Sequence, residues 1–264
     1  MEELRCKVIL LGDGNVGKTC LLHSYANGLE YLARRENYNP TLLENYELLL
    51  PINDSNKETT GPKTVRLSSW DTAGQEEFDE LRRMCYITSA SRSREENIGH
   101  SGVVSSCEVS VFILCFAWDD PQSLTSVQMR WYREIRRVEH EMAYSNNNNR
   151  GRRPFNVLLC GTKFDLRVEA DNRGITQGMV TREEAYTVQQ SIKADALVWC
   201  SSKTGLGVRD VFHTAVLLWL QDQPLYMSSQ LGVCAQNDSS TCEDDDTVET
   251  HGVGVTAGRS CQLL

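Results

Sequence analysis

Long apolar runs are missing from this 264-residue sequence, so no membrane-spanning helix is predicted. Basic residues are also scarce, because 27 Lys and Arg stand against 36 Asp and Glu and give a net charge of −9. A protein whose main partner is nucleic acid needs a basic surface, so that class is disfavoured. The polar start over residues 1–7 lacks the apolar core of a secretory signal, and we therefore expect a cytoplasmic chain.

Paired cysteine spacings are absent as well. The ten cysteines are scattered, none forms a CxxC pattern, and several, such as Cys115 and Cys160, lie within apolar runs. This distribution is typical of reduced thiols that pack as small hydrophobic side chains. The five histidines form no ligand-spaced set, so no metal site built from His and Cys is predicted.

What the sequence does contain is an alternation of short apolar runs with helix-length amphipathic stretches. This alternation predicts an α/β fold, with a mostly parallel sheet flanked by helices. The predicted strands cover residues 7–11, 46–52, 65–70, 109–116, 156–160 and 197–200. The predicted helices cover residues 18–27, 121–144, 181–193 and 208–221.

Four polar stretches interrupt this alternation. Three of them are predicted loop insertions near 53–62, 89–107 and 146–153, and the fourth runs from about residue 226 to the end. Each lacks the apolar content that ordered structure needs, so we expect solvated loops and a disordered tail. The predicted organisation is one domain over residues 1–225, followed by an acidic tail over residues 226–264.

The segment GDGNVGKT, which follows the first predicted strand and precedes a helix, fits the phosphate-loop pattern GxxxxGK[ST]. Its glycines allow backbone N–H groups to curl around phosphates, Lys18 reaches the β- and γ-phosphates, and the Thr19 hydroxyl binds Mg²⁺. The pattern predicts a nucleoside triphosphate but leaves the base open. The predicted contacts here are Gly12, Asp13, Gly14, Asn15, Val16, Gly17, Lys18, Thr19 and Cys20.

Two further motifs address the base. In the segment GTKFD, which follows the strand predicted at 156–160, Asp165 can accept hydrogen bonds from both the N1–H and the amine of guanine. Adenine offers no such pair, and the aliphatic stem of Lys163 is suited to lie along the base plane. The segment CSSK follows another predicted strand, and its backbone N–H groups are suited to the guanine carbonyl. The predicted base contacts are Thr162, Lys163, Asp165, Ser201, Ser202 and Lys203.

The segment WDTAGQE ends the strand predicted at 65–70. Asp71 is placed to bind Mg²⁺ through water, Gly74 to offer its N–H to a γ-phosphate, and Gln75 to orient an attacking water. A carboxylate at the end of an apolar strand is costly without a ligand, which favours this interpretation over a plain surface turn.

In this order, the motifs GDGNVGKT, YNPT, WDTAGQE, TKFD and CSSK resemble the small GTPase superfamily. Residues 38–46, 77–82 and 131–135 are similar to the Rho family, and the final CQLL fits a CaaX prenylation signal at Cys261. The resemblance covers roughly residues 5–221 and the last four. It implies a Ras-like P-loop fold with a six-stranded, mostly parallel sheet, and a GTP/GDP switch that hydrolyses GTP with Mg²⁺.

The resemblance also implies roles for two mobile loops. Thr41 would bind Mg²⁺ through its hydroxyl and the γ-phosphate through its N–H, and Tyr38 would lie across the phosphates. Loss of the γ-phosphate would then release Thr41 and Gly74 together. The implied catalytic residues are Gln75, Lys18 and Thr41, and the implied metal ligands are Thr19, Thr41 and Asp71.

The same resemblance implies partners: effectors, GTPase-activating proteins, exchange factors and a dissociation inhibitor, with the actin cytoskeleton as the regulated system. We expect a monomer. The terminal Leu predicts a geranylgeranyl group on Cys261, which would hold the chain on the cytoplasmic face of a membrane, with the plasma membrane as the candidate. One lipid gives marginal attachment, and the acidic tail lacks a basic cluster, so Cys234 or Cys242 is a candidate for a second lipid.

The sequence departs from the family at several places. The loop before Tyr38 is longer and lacks the aromatic residue expected to brace guanine, for which Leu29 and Tyr31 are candidates. Residues 168–180 are shorter than the helical insert of Rho proteins, and the stretch 89–107 is expected to alter regulator docking.

Two other functions stay open. A nucleotide-loaded scaffold that barely hydrolyses is disfavoured by Gly14 and Gln75, and a P-loop ATPase or kinase is disfavoured by the TKFD and CSSK segments.

Overall fold

A computed structural model of the chain describes residues 4–29, 43–52, 63–72, 79–90, 104–107, 109–145, 155–222 and 253–254. The strands are β1 Leu4–Leu11, β2 Leu43–Ile52, β3 Lys63–Thr72, β4 Ile87–Ala90, β5 Val104–Cys107, β6 Val111–Ala117, β7 Asn156–Thr162, β8 Ala196–Trp199 and β9 Val253–Gly254. The helices are α1 Lys18–Asn27, α2 Asp79–Tyr86, α3 Pro121–Ser126, α4 Tyr132–Ser145, α5 Phe164–Arg173, α6 Arg182–Ile192 and α7 Val208–Gln221. A π-helical turn, Val127–Trp131, joins α3 to α4.

The main sheet has the strand order β2-β3-β1-β6-β7-β8-β9. Neighbouring strands from β3 to β8 are all parallel, whereas β2 is antiparallel to β3 and β9 is antiparallel to β8. The predicted mostly parallel sheet of six strands is therefore confirmed, with the two-residue β9 added at its edge. Because β1, β3, β6, β7 and β8 run the same way, their carboxyl ends meet at one edge, where open α/β sheets bind ligands.

Both faces of the sheet are covered by helices, and the side chains of β1 show how. Val8 and Leu10 are buried with residues of α1 and α7, whereas Ile9 and Leu11 are buried with residues of α3, α4 and α6. Successive residues of a strand point to opposite faces, so an apolar run without alternation is what a strand buried on both sides requires. Strands β6 and β7 are buried along their whole length for the same reason.

Helix ends carry local signals that the sequence contains. At α6 the Thr181 hydroxyl accepts the backbone N–H of Glu184, while the Glu184 carboxylate accepts the N–H of Thr181. This reciprocal cap satisfies two backbone donors that a helix start otherwise leaves unpaired. At α3 the Asp120 carboxylate caps the N-terminus and Pro121 takes the first helical position, which suits its missing N–H.

Several elements differ from the sequence predictions. The helix predicted at 121–144 is interrupted by the π-helical turn, and α2 and α5 were not predicted. Helix α2 has only eight residues, and α5 begins inside the base-recognition segment, so neither shows a long apolar period. No helix within these described ranges is long and apolar enough to cross a bilayer.

The loop insertions and the tail also show differences. At the two ends of the insertion predicted near 89–107, β4 pairs antiparallel with β5. The sequence there includes β-branched residues such as Ile87, Thr88 and Val104, which favour extended backbone. In the predicted disordered tail, β9 pairs with Leu197 and Val198 of β8. The predicted insertions at 53–62 and 146–153 lie outside the described residues.

Candidate functional site

The phosphate loop connects the end of β1 to the start of α1. A Cβ atom on Gly12 would lie 2.4 Å from the carbonyl oxygen of Cys115 on β6, so only glycine allows this close approach. Gly17 has φ +94°, a left-handed conformation that favours glycine, and Asn15 also has a positive φ of 63°. A Cβ on Gly14 would meet none of the described protein atoms within 4 Å, so space is open beside this residue.

Lys18 is buried at the base of this loop, with 6 % of its surface exposed. Its ammonium group donates to the carbonyl oxygens of Gly12 at 2.7 Å and Asp13 at 2.8 Å. Burial lowers the pKa of Lys18, an effect that the negative charges of Asp71 and Asp13 oppose. An ammonium group that is removed from water needs anionic or polar partners, and phosphate oxygens would supply them here.

Thr19 and Asp71 meet across two neighbouring elements. Asp71 lies near the end of β3, opposite Leu10 of β1, and its carboxylate accepts a hydrogen bond from the Thr19 hydroxyl at 2.5 Å. Both residues are buried. A hydroxyl and a carboxylate are hard oxygen donors, which fit Mg²⁺.

Other ligands of such an ion would come from outside this pair. Within the ranges that the structure describes, no group of three or more His, Cys, Asp and Glu side chains is arranged to hold a metal. Two protein oxygens are sufficient for Mg²⁺, which usually retains waters and substrate phosphates as its remaining ligands. Thr41, the third predicted ligand, lies outside the described residues.

The base-recognition segments lie after β7 and β8. The carboxylate of Asp165, in the first turn of α5, accepts a hydrogen bond from the Ser201 hydroxyl at 2.7 Å, and the Lys203 ammonium lies 3.9 Å from its other oxygen. The backbone N–H of Phe164 donates to the carbonyl of Cys200, which fixes the two segments against each other. The orientation of the Asp165 carboxylate is therefore set by Ser201.

Thr162 and Lys163 connect this region to the rest of the site. The Thr162 hydroxyl lies within hydrogen-bonding distance of the carbonyl oxygens of Val16 in the phosphate loop and of Phe116 in β6, the latter at 2.9 Å. Lys163 has a left-handed φ of 57°, and its ammonium forms an ion pair with Asp119 at 3.1 Å. These contacts tie the base end of the site to the phosphate end.

Leu29 lies at the base end as well. A Cβ atom on Gly205 would come within 3.1 Å of the Leu29 side chain, which places that side chain against the loop following Ser201. Leu29 is 41 % exposed. Of the two residues predicted to replace the missing aromatic brace, Leu29 thus lies beside the base loop, whereas Tyr31 falls outside the described residues.

The remaining predicted residues divide into two groups. Val16 is buried, Cys20 is half-buried on α1, and the Ser202 carbonyl lies 3.5 Å from the Ser24 hydroxyl of α1. Tyr38, Thr41, Gly74, Gln75 and Cys261 lie outside the described residues, so their roles stay predictions.

Sequence reasoning missed Asp119, which pairs with Lys163, and Trp131, whose indole N–H donates to the Asp13 carboxylate at 2.8 Å. Trp131 falls at a core position of a helical pattern, which gives no sign of a polar contact.

Comparison of the sequence with known proteins identifies the family. The Ras family profile matches residues 7–92 and 100–221. The chain is 36 % identical over 226 residues to GTP-binding protein rho4 of Schizosaccharomyces pombe, which covers 83 % of this chain and 89 % of that protein. It is 33 % identical over 218 residues to GTP-binding protein RHO1 of Saccharomyces cerevisiae, covering 81 % and 83 % respectively. Identity to Rho-related GTP-binding protein RhoV of Mus musculus is 31 % over 221 residues, covering 81 % and 74 %.

Proposed function

We propose, because this chain belongs to the Ras family and is a Rho-like small GTPase, that it engages effectors when GTP is bound and releases them after hydrolysis. The observation that carries the proposal is the convergence of three motifs at one edge of the sheet. Lys18 and Thr19 follow β1, Asp71 lies near the end of β3, and Asp165 and Ser201 follow β7 and β8 respectively. This edge therefore offers a cation and a metal site at one end and a guanine acceptor at the other.

At the phosphate end of the site, separate residues bind the phosphates, hold the metal ion and orient the attacking water. Lys18 binds the β- and γ-phosphate oxygens, and Thr19 and Asp71, with Thr41, would hold Mg²⁺. The ion, when bound, neutralises charge on the phosphates. Gln75 orients a water whose oxygen attacks the γ-phosphorus as the bond to the β-phosphate oxygen breaks, leaving GDP and phosphate. Tyr38 would lie across the phosphates.

Selection of guanine rests on the Asp165 carboxylate. Its two oxygens accept the N1–H and the exocyclic amine, and the bond from Ser201 at 2.7 Å holds the carboxylate in one orientation. A site built to pair such donors rejects bases that lack them, because its polar group is then left unpaired. Leu29 packs beside the base loop and covers the base in place of an aromatic side chain.

The partners follow from the same switch. Effectors recognise residues 40–46, which include the start of β2, while Thr41 is held by the γ-phosphate. A GTPase-activating protein and an exchange factor set the rates of the two transitions. Regulation of the actin cytoskeleton is the cellular role that the Rho relationship favours. A dissociation inhibitor is the expected carrier of the lipid on Cys261.

Hydrolysis is tested by the Gln75→Leu variant. We expect it to bind GTP like the wild type but to hydrolyse bound GTP at least roughly tenfold more slowly in a single turnover, because no side chain then orients the water. The rate is measured as phosphate release from preloaded protein. Wild-type protein that releases no phosphate would favour the nucleotide-loaded scaffold instead, and equal rates for the two proteins would remove Gln75 from the reaction.

Membrane attachment is tested by the Cys261→Ser variant. In cells we expect its membrane-bound fraction to fall by roughly tenfold or more, since the tail offers no basic cluster to replace the lipid. Ser260→Ala, which leaves the CaaX sequence intact, is the matched control and should partition like the wild type. If Cys261→Ser also partitions like the wild type, prenyl attachment is wrong.

A further inference from the structure

Trp131 is a fully buried tryptophan that touches the phosphate loop from a distant helix. It ends the π-helical turn between α3 and α4, and its indole N–H donates to the Asp13 carboxylate at 2.8 Å. The carbonyl oxygen of the same Asp13 accepts the Lys18 ammonium at 2.8 Å. Asp13 thus contacts both the phosphate-binding lysine and the indole. A shift of the indole would therefore change the position of Lys18.

The ring of Trp131 is held in turn by helix α2. The Arg82 guanidinium lies over the ring at 5.0 Å from its centroid, and Arg130 lies over it at 4.4 Å. Arg82 is 1 % exposed and forms ion pairs with Asp79 and with Glu134, the latter at 3.3 Å. Planar guanidinium groups stack well on aromatic faces, and tryptophan is the best ring partner for such cation–π contacts.

This network is anchored on both helices. The Glu134 carboxylate of α4 also accepts the Tyr86 hydroxyl of α2 at 2.7 Å, and Asp79 lies 3.4 Å from the Arg130 guanidinium. Burial and the neighbouring Glu134 carboxylate raise the pKa of Tyr86 well above its usual value, so the hydroxyl stays a donor. Helix α2 begins four positions after Gln75, directly behind the predicted second switch segment.

The π-helical turn gives this arrangement its geometry. It inserts an extra residue into the helical ladder, and its first and last residues, Val127 and Trp131, are both fully buried. Such turns are rare and frequently lie at functional sites. Here the turn brings an indole N–H to the phosphate loop while its ring stays in contact with α2.

We propose that Trp131 is a positioning residue that couples helix α2 to the phosphate loop and thereby sets the rate of nucleotide release. This inference rests on the proposed function of the same site. While Arg82 lies over the ring, the indole holds Asp13, and Asp13 holds Lys18 in place for the phosphates. Displacement of α2 frees the indole, loosens Asp13 and thereby speeds nucleotide release.

The first test compares Trp131→Phe with the wild type in full-length protein loaded with a fluorescent GDP derivative and chased with excess GDP. Phenylalanine keeps an aromatic ring but lacks the N–H, and the lost bond is to a charged acceptor, so we expect roughly tenfold faster release. Asp13→Ala, which removes the acceptor, should give a similar acceleration, and the double variant should be no faster than the faster single one. Trp219→Phe, a tryptophan change on α7, is the control and should release GDP like the wild type.

The second test addresses coupling, which a purely structural role would not produce. Arg82→Lys keeps the charge but removes the planar group, and it should speed release several-fold in the wild-type background. In the Trp131→Phe background the same change should add nothing, because the bond through which it acts is gone. Effects of the two changes that multiply, or release from Trp131→Phe at the wild-type rate, would overturn the proposal.

A folding defect of Trp131→Phe and a failure of the proposed function give different results. If Trp131→Phe does not fold, the same comparison is made with Arg82→Lys in the Asp13→Ala background, where a null effect supports the coupling and a multiplicative one overturns it. If the wild-type protein does not retain the GDP derivative, the proposed function itself is contradicted. If the wild-type protein retains the GDP derivative and Trp131→Phe releases it no faster, only the coupling proposal is contradicted.

Discussion

Replacing Lys18 with alanine is expected to lower the affinity for GDP and GTP by roughly thirtyfold to several thousandfold. Removing one partner of a buried, hydrogen-bonded charge pair costs about 2–5 kcal/mol or more, and a phosphate oxygen would lose such a partner here. The measurement is equilibrium binding of a fluorescent GDP derivative by the purified variant. Arg173→Ala removes an exposed cation whose side chain is 68 % accessible, and it should bind like the wild type.

The same variant separates binding from folding. Burial lowers the pKa of Lys18, so its charged form is disfavoured in the folded state relative to an exposed lysine. We therefore expect Lys18→Ala to weaken nucleotide binding strongly without a comparable loss of stability in the nucleotide-free protein. Thermal unfolding should show a nucleotide-dependent stabilisation in the wild type that is nearly lost in Lys18→Ala. A variant that retains nucleotide as tightly as the wild type would contradict the role of the phosphate loop.

Replacing Asp165 with asparagine is expected to change which base is bound. The carboxylate accepts from the N1–H and the amine of guanine, whereas an asparagine amide accepts one bond and donates another. That pattern suits xanthine, which has the N1–H but carries a carbonyl in place of the amine. We expect GDP affinity to fall by roughly a thousandfold or more and xanthosine diphosphate to become the better ligand, since hydrogen-bonding sites discriminate by about this amount.

Competition between the two nucleotides for the variant measures this change directly. Asp171→Asn is the matched control, because Asp171 lies on the same helix and pairs with Arg167 at 2.9 Å, away from Ser201. Its preference for guanine should equal that of the wild type. If Asp165→Asn kept its preference for GDP, base recognition would have to be assigned to other residues.

The parts of the site that were predictable from sequence are those whose chemistry depends on residue type at fixed spacing. A glycine-rich turn between an apolar strand and a helix fixes where Lys18 and Thr19 lie, and the parallel sheet brings Asp71 to the same edge. The same logic predicted Asp165 and the segment after β8, which the structure joins through Ser201. The mostly parallel sheet was predictable too, because strands buried on both faces read as continuous apolar runs.

The parts that were not predictable depend on contacts between distant residues. Nothing near Trp131 in the chain marks it as a partner of Asp13, 118 positions away, because its place in the helical pattern is that of a core residue. The π-helical turn has no sequence signature of its own. Strands β4 and β5 pair across an insertion of low apolar content, so their pairing is decided by partners that local composition does not reveal.

The most direct test of the whole account is to identify the nucleotide that co-purifies with the full-length wild-type chain and to compare its affinities for GTP and ATP. We predict that GDP or GTP is retained and that ATP competes at least roughly a thousandfold less well, because adenine offers no donor pair to the Asp165 carboxylate. Retention of adenine nucleotides with equal affinity, or of no nucleotide at all, would contradict it.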